Sequence, residues 1–230
     1  MTSTLRHTAF GVLCVRRFPA SATAHSLLAR LHPDEAALAR AWGERRQRTF
    51  AMGRLAAHEA LATLGHDSDA PILPDERGAP RVAAPLCVSV SHKDEVAAAL
   101  ALRAGDDRIG VDVEPLAARA QVRDISSHVL TEAERAELAP LDDDARRREL
   151  LLRFSLKEAL YKALDPFVRR YVGFLEVEAR PQGDGPERDV TLTLPAAEGA
   201  TFRAEARLIL IDELAVSLVR VARAHSGPQS

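Results

Sequence analysis

Helical and strand-like patterns follow each other twice along the 230 residues, and this order constrains the fold more than any other feature of the chain. The first helical stretch covers 33–64 and has Gly65 as a natural end; we expect Gly43 and Gly53 to divide it. The second contains a capping box, Thr131 with Glu134, and a longer helix from about 145 that Asp165-Pro166 should break. Runs typical of strands are 10–15, 86–91, 96–103, 108–114, 172–179, 190–194, 202–211 and 214–221. The order predicts two related α+β lobes that meet near residue 118, with ligands in the crevice between them; a single α+β domain is the alternative.

The overall charge of the chain is close to neutral, at −2. A protein of this charge has no general basic surface for nucleic acid, so any anion must be bound locally. The N-terminal residues lack the apolar segment of a signal peptide, and no apolar run is long enough to span a bilayer. We therefore expect a soluble, cytoplasmic protein that binds neither nucleic acid nor membranes.

Two acidic residues share one face of the strand at 109–114. The strand period of two sends Ile109, Val111 and Val113 to one side and places Asp112 and Glu114 about 7 Å apart on the other. Mg²⁺ is a common partner for such a pair, because it binds carboxylates together with water and phosphate oxygens. A solvated edge strand is the alternative, and Gly110 favours the first interpretation because strand glycines often mark a close approach.

Cations that suit a phosphate lie in two places upstream of this strand. His92 ends the strand that contains Ser89 and Ser91, at a position where functional side chains are often displayed. Arg46, Phe50 and Arg54 are spaced four apart, so they stack along one face of a helix, and arginine forks suit a phosphate monoester. A basic solvent-exposed face is the alternative. The sequence has no glycine-rich phosphate loop, so phosphates would be held by side chains and metal.

The segment 153–162 contains a further charged group. At about 100° per residue, Lys157, Glu158 and Lys162 fall in one wedge of a helix with Phe154 and Tyr161, opposite an apolar wedge. A solvated face with a Glu158–Lys162 ion pair is the simpler interpretation. A carboxylate between two ammonium groups also suits a site that holds a metal and a polyanion.

Together these motifs resemble the 4′-phosphopantetheinyl transferase superfamily, in its two-lobed surfactin-synthetase type and the enterobactin-type branch. The match covers roughly residues 45–175. The matching segments, in order, are Arg46…Phe50…Gly53-Arg54, Ser91-His92, Gly110-Val111-Asp112-Val113-Glu114 and Phe154-Ser155-Leu156-Lys157-Glu158-Ala159-Leu160-Tyr161-Lys162. The last two as a pair are the more specific. Two positions differ from the family pattern: Ala79 replaces a common lysine, for which Arg77 is a candidate substitute, and Phe154 replaces a common tryptophan.

The resemblance implies an α+β fold of two pseudo-symmetric lobes, each with helices on a small, mostly antiparallel sheet and with the active site in the cleft between them. The N-terminal lobe would be 1–117, with the coenzyme A site and the metal strand, and the C-terminal lobe 118–224, with the Lys-Glu-Lys helix; 225–230 would be a disordered tail. The implied reaction is transfer of phosphopantetheine from coenzyme A to a serine of an apo acyl or peptidyl carrier protein, with release of adenosine 3′,5′-bisphosphate. The chain is expected to act as a monomer.

The resemblance also implies the roles of individual residues. The metal ligands for Mg²⁺ would be Asp112, Glu114 and Glu158. The coenzyme A contacts would come from Arg46, Arg54, Arg77, Ser91, His92, Lys157 and Lys162, and the catalytic set would be Glu158, Lys157 and Lys162. Glu158 is the nearest candidate to accept the serine proton; whether it is ligand, base or both stays open.

Two alternatives about function remain, and two points about the carrier partner are open. A coenzyme A or nucleotide-binding protein without transfer activity would need the cations but not three acids. A Mg²⁺-dependent phosphohydrolase would use the same acids with water as the nucleophile. For the acidic carrier, basic residues beside apolar ones make two candidate docks, Arg119 with Arg123 and Arg169 with Arg170. The carrier could serve fatty acid, polyketide, siderophore or peptide synthesis.

Overall fold

The computed structural model describes residues 2–67, 69–116 and 125–224. The chain forms two compact units, of which the first contains 1–105 with 111–113 and the second contains 106–110 with the residues from 114 onward. Each unit has helices and a sheet, as the α+β prediction requires. The chain passes between the units within one strand, and the predicted boundary at 117/118 and the tail 225–230 lie outside the described residues, as do Arg119 and Arg123.

The first unit is built on a four-stranded antiparallel sheet with the order β1-β2-β6-β5. Its strands are β1 (Thr2–Thr8), β2 (Gly11–Arg17), β5 (Leu86–Lys93) and β6 (Val96–Arg103), and a short hairpin pairs β3 (Leu73–Pro74) with β4 (Pro80–Arg81). The helices are α1 (Ala24–Leu28), α2 (Pro33–Ala39) and α3 (Glu44–Ala62). Buried apolar side chains of α3 and the sheet form one core that includes Met52, Leu61 and Val88.

Helix α3 lies unusually close to strand β5. Gly43 precedes the helix, as expected, but Gly53 lies inside it, so the prediction that Gly53 divides the helix was wrong. A Cβ atom at Gly53 would lie 2.7 Å from Val90 Cγ1. The glycine therefore lets the helix backbone approach β5, two residues before His92.

The second unit is built on a five-stranded sheet with the order β7-β11-β10-β9-β8. Its strands are β7 (Arg108–Pro115), β8 (Glu178–Pro181), β9 (Glu187–Thr193), β10 (Phe202–Ile211) and β11 (Leu214–Arg223). Its helices are α4 (Ser126–Val129), α5 (Glu132–Leu138), α6 (Asp143–Val168) and α7 (Ala196–Thr201), and Phe174–Glu176 forms a 3-10 turn. The apolar side of α6, with Leu156 and Leu160, packs in a core with β8, β10 and β11.

Helix α6 is longer than the sequence predicted. It continues to Val168, past Pro166, because a proline in the last turn removes one backbone donor without preventing the final residues from closing that turn. Arg169 ends the helix with a left-handed φ of 49°, and its N–H donates to the Asp165 carbonyl at 2.9 Å. The predicted strand 172–179 was also wrong at its start, because the 3-10 turn occupies that region and β8 begins at Glu178.

One local prediction is confirmed at the start of α5. The capping box of α5 is present, since Thr131 Oγ1 accepts from the Glu134 N–H and the Glu134 carboxylate accepts from the Thr131 N–H. Within the described residues, no helix is both long enough and apolar enough to cross a membrane.

Candidate functional site

A basic pocket of about 720 Å³ lies in the first unit, where the start of α3 faces the end of β5. Its lining residues are Gly43, Glu44, Arg45, Arg46, Arg48, Thr49, His92, Lys93 and Asp94. The structure thus brings Arg46 and His92, both predicted from the sequence, into one pocket. Arginine and lysine outnumber the acids among the lining residues, so the pocket suits an anion.

The arginines of α3 have different environments. The Arg46 guanidinium lies 4.4 Å from the centre of the Trp42 ring, which packs edge-on against Phe50 at 5.1 Å. Arg48 donates to the carbonyls of Ala22 and Asp94 at 3.0 and 2.5 Å. Arg48 therefore fixes the pocket wall, and Arg46 is the residue of this pair held over an aromatic ring.

Arg54 does not line the pocket. Its side chain is buried, its Nε donates to the Ile72 carbonyl at 2.6 Å, and its guanidinium lies over the Phe50 ring at 4.5 Å. Burial lowers the Arg54 pKa to about 10, since desolvation disfavours the charged form. Arg77 is exposed in the turn that Asp75 closes, where the Asp75 carboxylate accepts from the Arg77 N–H. Phosphate contacts by Arg54 and Arg77 stay predictions.

Ser91 is directed toward an acid rather than into the pocket. Its hydroxyl is buried and donates to Asp112 Oδ1 at 2.7 Å, and the Ser89 hydroxyl accepts from the Val111 N–H at 3.1 Å. Two serines that alternate along β5 therefore hold residues 111 and 112. This places Asp112 beside the strand that ends at His92.

The two acids of β7 are almost completely buried. Asp112 is 3% exposed and Glu114 0%, so the alternative of a solvated edge strand was wrong. Both side chains take part in further interactions, but the Oδ2 atom of Asp112 and the Oε1 atom of Glu114 accept no hydrogen bond from the described residues. Two buried carboxylates on one strand face form a donor set of hard oxygens, which fits Mg²⁺.

Gly110 marks a close approach, as the sequence predicted. A Cβ atom at this position would overlap the carbonyl oxygen of Ala159 on α6. The backbone of β7 therefore contacts the backbone of α6 next to Glu158. Among the described residues, no three or more His, Cys, Asp and Glu side chains are grouped so as to hold a metal, and the third ligand stays a prediction.

The charged residues of α6 differ in burial. Glu158, Tyr161 and Lys162 are half-buried, whereas Lys157 is 1% exposed, so the expectation that Lys157 lies on an accessible polar face was wrong. The Lys157 ammonium donates to protein acceptors instead. Aromatic rings lie on the half-buried face of the helix, where Tyr161 packs against Tyr171 with centroids 5.5 Å apart.

Of the second predicted carrier dock, Arg170 is already paired. Its guanidinium contacts Glu176 at 3.0 Å and Glu198 at 2.7 Å, and hydrogen bonds to these carboxylates raise the Arg170 pKa. Arg169 is exposed at the end of α6.

Comparison with known protein families supplies the deciding observation. Residues 34–102 match the 4′-phosphopantetheinyl transferase N-terminal domain, and residues 108–218 match the 4′-phosphopantetheinyl transferase superfamily. The chain belongs to this superfamily. Both units contain matched residues, and the two matches contain every candidate residue named above.

The chain is also similar to individual proteins. The chain is 37% identical over 146 residues to the 4′-phosphopantetheinyl transferase Npt of Nocardia iowensis, a match that covers 63% of this chain and 64% of the relative. The holo-[acyl-carrier-protein] synthase of Thermotoga maritima is 27% identical with a TM-score of 0.39, over 51% of this chain and 64% of that one. A Bacillus anthracis synthase, solved in complex with coenzyme A (3′,5′-ADP), is 24% identical with a TM-score of 0.41, over 51% and 96%.

Sequence reasoning missed Trp42, which positions Arg46, and Lys93, which adds charge to the pocket. It named Ser91 as a coenzyme A contact but did not predict that Ser91 holds Asp112. The alternation of Ser89 and Ser91 on a strand was a usable signal, since it sends both hydroxyls to one face. No signal in the sequence marked Trp42.

Proposed function

We propose that this protein transfers the 4′-phosphopantetheine group from coenzyme A to a serine hydroxyl of an apo acyl or peptidyl carrier protein, in a Mg²⁺-dependent reaction that releases adenosine 3′,5′-bisphosphate. The observation that carries the proposal is the burial of Asp112 and Glu114 on one face of β7, in a chain of the transferase superfamily. Carboxylate oxygens are ligands that Mg²⁺ prefers, and a metal that also binds phosphate oxygens is the cation this chemistry needs.

Coenzyme A phosphates would be bound by the basic pocket of the first unit. Arg46 offers a fork held in place by Trp42, and His92 and Lys93 offer donors at the end of β5. A phosphate monoester can accept several of these bonds at once. We propose that this pocket, rather than buried Arg54, supplies most of the affinity for the charged part of coenzyme A.

Asp112, Glu114 and Glu158 would hold Mg²⁺, with Glu158 assigned by the family resemblance. When bound, Mg²⁺ offsets the charge that grows on the phosphate oxygens during transfer. Ser91 keeps Asp112 in one orientation through the 2.7 Å hydrogen bond to Oδ1. A carboxylate fixed in this way needs no rearrangement to act as a ligand.

The transfer itself forms one bond and breaks one. The serine oxygen of the carrier attacks the β-phosphorus of coenzyme A, the bond from that phosphorus to the bridging oxygen breaks, and adenosine 3′,5′-bisphosphate leaves. Glu158 is the proposed acceptor of the serine proton, and the Lys162 ammonium lies one turn along α6, where it would neutralise phosphate oxygens. The monomeric state and the cytoplasmic location stay predictions.

The test is incubation with coenzyme A, Mg²⁺ and a panel of apo carriers, read by intact mass of the carrier. The proposal predicts the mass gain of one phosphopantetheine group on at least one carrier. Release of adenosine 3′,5′-bisphosphate without a carrier would indicate a phosphohydrolase. Binding of coenzyme A with no product on any carrier would indicate a binding protein.

A further inference from the structure

The ammonium group of Lys157 has all of its hydrogen-bonding capacity satisfied inside the second unit. Its Nζ donates to the Val129 carbonyl at 2.8 Å, to Glu134 Oε2 at 2.6 Å and to the Phe174 carbonyl at 2.9 Å. An ammonium has three N–H donors, so these three acceptors occupy all of them. The Lys157 side chain is 0% exposed, so a ligand could reach it only after this arrangement opened.

The partners of Lys157 come from three different elements. Val129 ends α4, Glu134 lies in the first turn of α5, and Phe174 begins the 3-10 turn. Glu134 extends the network, because its Oε1 accepts from the Ala179 N–H of β8 at 2.9 Å. One side chain therefore ties α4, α5 and the segment 171–176 to α6.

The segment 171–176, which contains the Lys157 acceptor Phe174, also packs against side chains of α6 on either side of Lys157. The Phe174 ring packs edge-on against Phe154 with centroids 5.5 Å apart, and the Tyr171 ring packs against Tyr161 at the same distance. Phe154 and Tyr161 lie about one turn to either side of Glu158 on the helix. The segment 171–174 is thus fixed on both sides of Glu158.

Burial alone would make the Lys157 charge unfavourable. The Lys157 ammonium is instead paired with the Glu134 carboxylate at 2.6 Å, and both side chains are 0% exposed. Removing Lys157 alone leaves the buried Glu134 carboxylate with the Arg153 guanidinium, 3.8 Å away, in place of the Lys157 ammonium at 2.6 Å, whereas removing both charges leaves no carboxylate at this position. A comparison of the single and double variants therefore distinguishes a role of Lys157 in the protein interior from a role in ligand binding.

We propose that Lys157 is a positioning residue, which acts on the reaction by fixing α4 and the segment 171–176 beside Glu158 and Lys162 and makes no contact with coenzyme A. This inference rests on the proposed transferase function, and it replaces the phosphate contact that the family resemblance implied for Lys157. Lys162, half-buried on the same helix, keeps its place in phosphate binding.

The decisive variant is Lys157→Met with Glu134→Gln. Methionine matches the length of lysine without the charge, and the amide oxygen introduced by Glu134→Gln can still accept from the Ala179 N–H. We expect the double variant to unfold at a higher denaturant concentration than Lys157→Met alone, because the single variant leaves the buried Glu134 carboxylate with only the more distant guanidinium of Arg153, 3.8 Å away, whereas the double variant has no carboxylate there. Lys162→Met is the matched control, since it is the same substitution about one turn along α6.

The readouts are the Kd for coenzyme A by calorimetry and kcat with a carrier accepted by the wild type. The double variant should bind coenzyme A within about twofold of wild type, but its kcat should fall roughly ten- to a hundredfold because the groups near Glu158 are misplaced. Lys162→Met should weaken coenzyme A binding by about tenfold or more. Phe154→Ala should lower kcat through the same segment, so its effect should not add to that of the double variant.

Three results would overturn the inference. A double variant that regains stability but binds coenzyme A at least about tenfold more weakly would show that Lys157 contacts the ligand. A double variant with wild-type kcat, or an effect fully additive with Phe154→Ala, would show that Lys157 only stabilises the fold. Failure of the wild type to bind coenzyme A or modify any carrier would instead overturn the proposed function itself, and with it any role of Lys157 in transfer.

Discussion

Gly110 on β7 faces the carbonyl oxygen of Ala159 on α6 so closely that no side chain can stand between them. Gly110 shares a strand face with Asp112 and Glu114, and Ala159 follows Glu158 directly. The two motifs that the sequence analysis singled out as most specific therefore contact each other through their backbones. The contact is possible only because Gly110 has no Cβ atom, so a substitution that adds one tests it directly.

Gly110→Ala is expected to lower the free energy of unfolding by about 1–3 kcal/mol, because a backbone carbonyl cannot move aside for the added carbon as a flexible side chain can. The measurement is urea unfolding followed by circular dichroism. Gly105→Ala is the matched control, since a Cβ there meets no atom within 4 Å and should change stability by less than about 0.5 kcal/mol. Equal stability of both variants would contradict the close contact.

Arg46 and Arg54 are expected to respond differently to the same substitution. Arg46→Ala should weaken coenzyme A binding roughly ten- to a hundredfold, because it removes a charged contact to a phosphate. It should have little effect on stability, because Arg46 is an exposed residue of the pocket. Arg54→Ala should chiefly destabilise the fold, because it removes a buried side chain that bonds to the Ile72 carbonyl. Calorimetry with coenzyme A and thermal unfolding of both variants separate these effects, and the reverse pattern would move the phosphate site to Arg54.

Ser91→Ala is expected to weaken Mg²⁺ binding without weakening coenzyme A binding. The variant removes the hydrogen bond to Asp112 Oδ1, so the carboxylate loses its fixed orientation, an effect that typically costs about ten- to a hundredfold in metal affinity. The measurement is Mg²⁺ titration by calorimetry in the presence of coenzyme A. The matched control is Ser26→Ala, on the exposed side of α1, which should leave Mg²⁺ affinity unchanged. A weakened coenzyme A affinity with normal Mg²⁺ affinity would instead place Ser91 at the ligand.

Glu35 makes stability depend on pH in the first unit. Although burial opposes ionisation, the hydrogen bond from His58 at 2.9 Å and the Ile72 N–H bond at 2.7 Å hold the pKa of Glu35 below its ordinary value of 4.5. A lowered folded pKa contributes stability above pH 4.5 that is lost as the pH falls through the folded pKa. Glu35→Gln should therefore be less stable than wild type at pH 7, and the difference should narrow below pH 4.5.

Urea unfolding from pH 3 to 7 measures this difference, with Glu95→Gln, at an exposed site, as the control. A Glu35→Gln deficit that stays constant over that range would show that the ionised carboxylate of Glu35 contributes nothing beyond its shape.

The sequence predicted those features that depend on neighbours close along the chain. Period-two alternation placed Asp112 and Glu114 on one face, Gly110 indicated a close approach, and strands β6 and β10 begin and end where expected. The burial of Arg54 and Lys157 depends on partners far away in sequence. Arg54 bonds to the Ile72 carbonyl, 18 residues after it, and Lys157 bonds to Glu134, 23 residues before it. From the helical pattern alone, Arg54 and Lys157 are both predicted to be surface cations, because the pattern contains no information about which charged side chain will contact a buried acceptor.

The most direct test of the proposed transferase function is the Mg²⁺ dependence of phosphopantetheine transfer, measured with purified protein, coenzyme A and an accepted apo carrier by intact mass. We expect no product in excess chelator, full recovery when Mg²⁺ is restored, and nearly complete loss in Asp112→Asn at an unchanged unfolding midpoint. Undiminished transfer in chelator, or by Asp112→Asn, would contradict it.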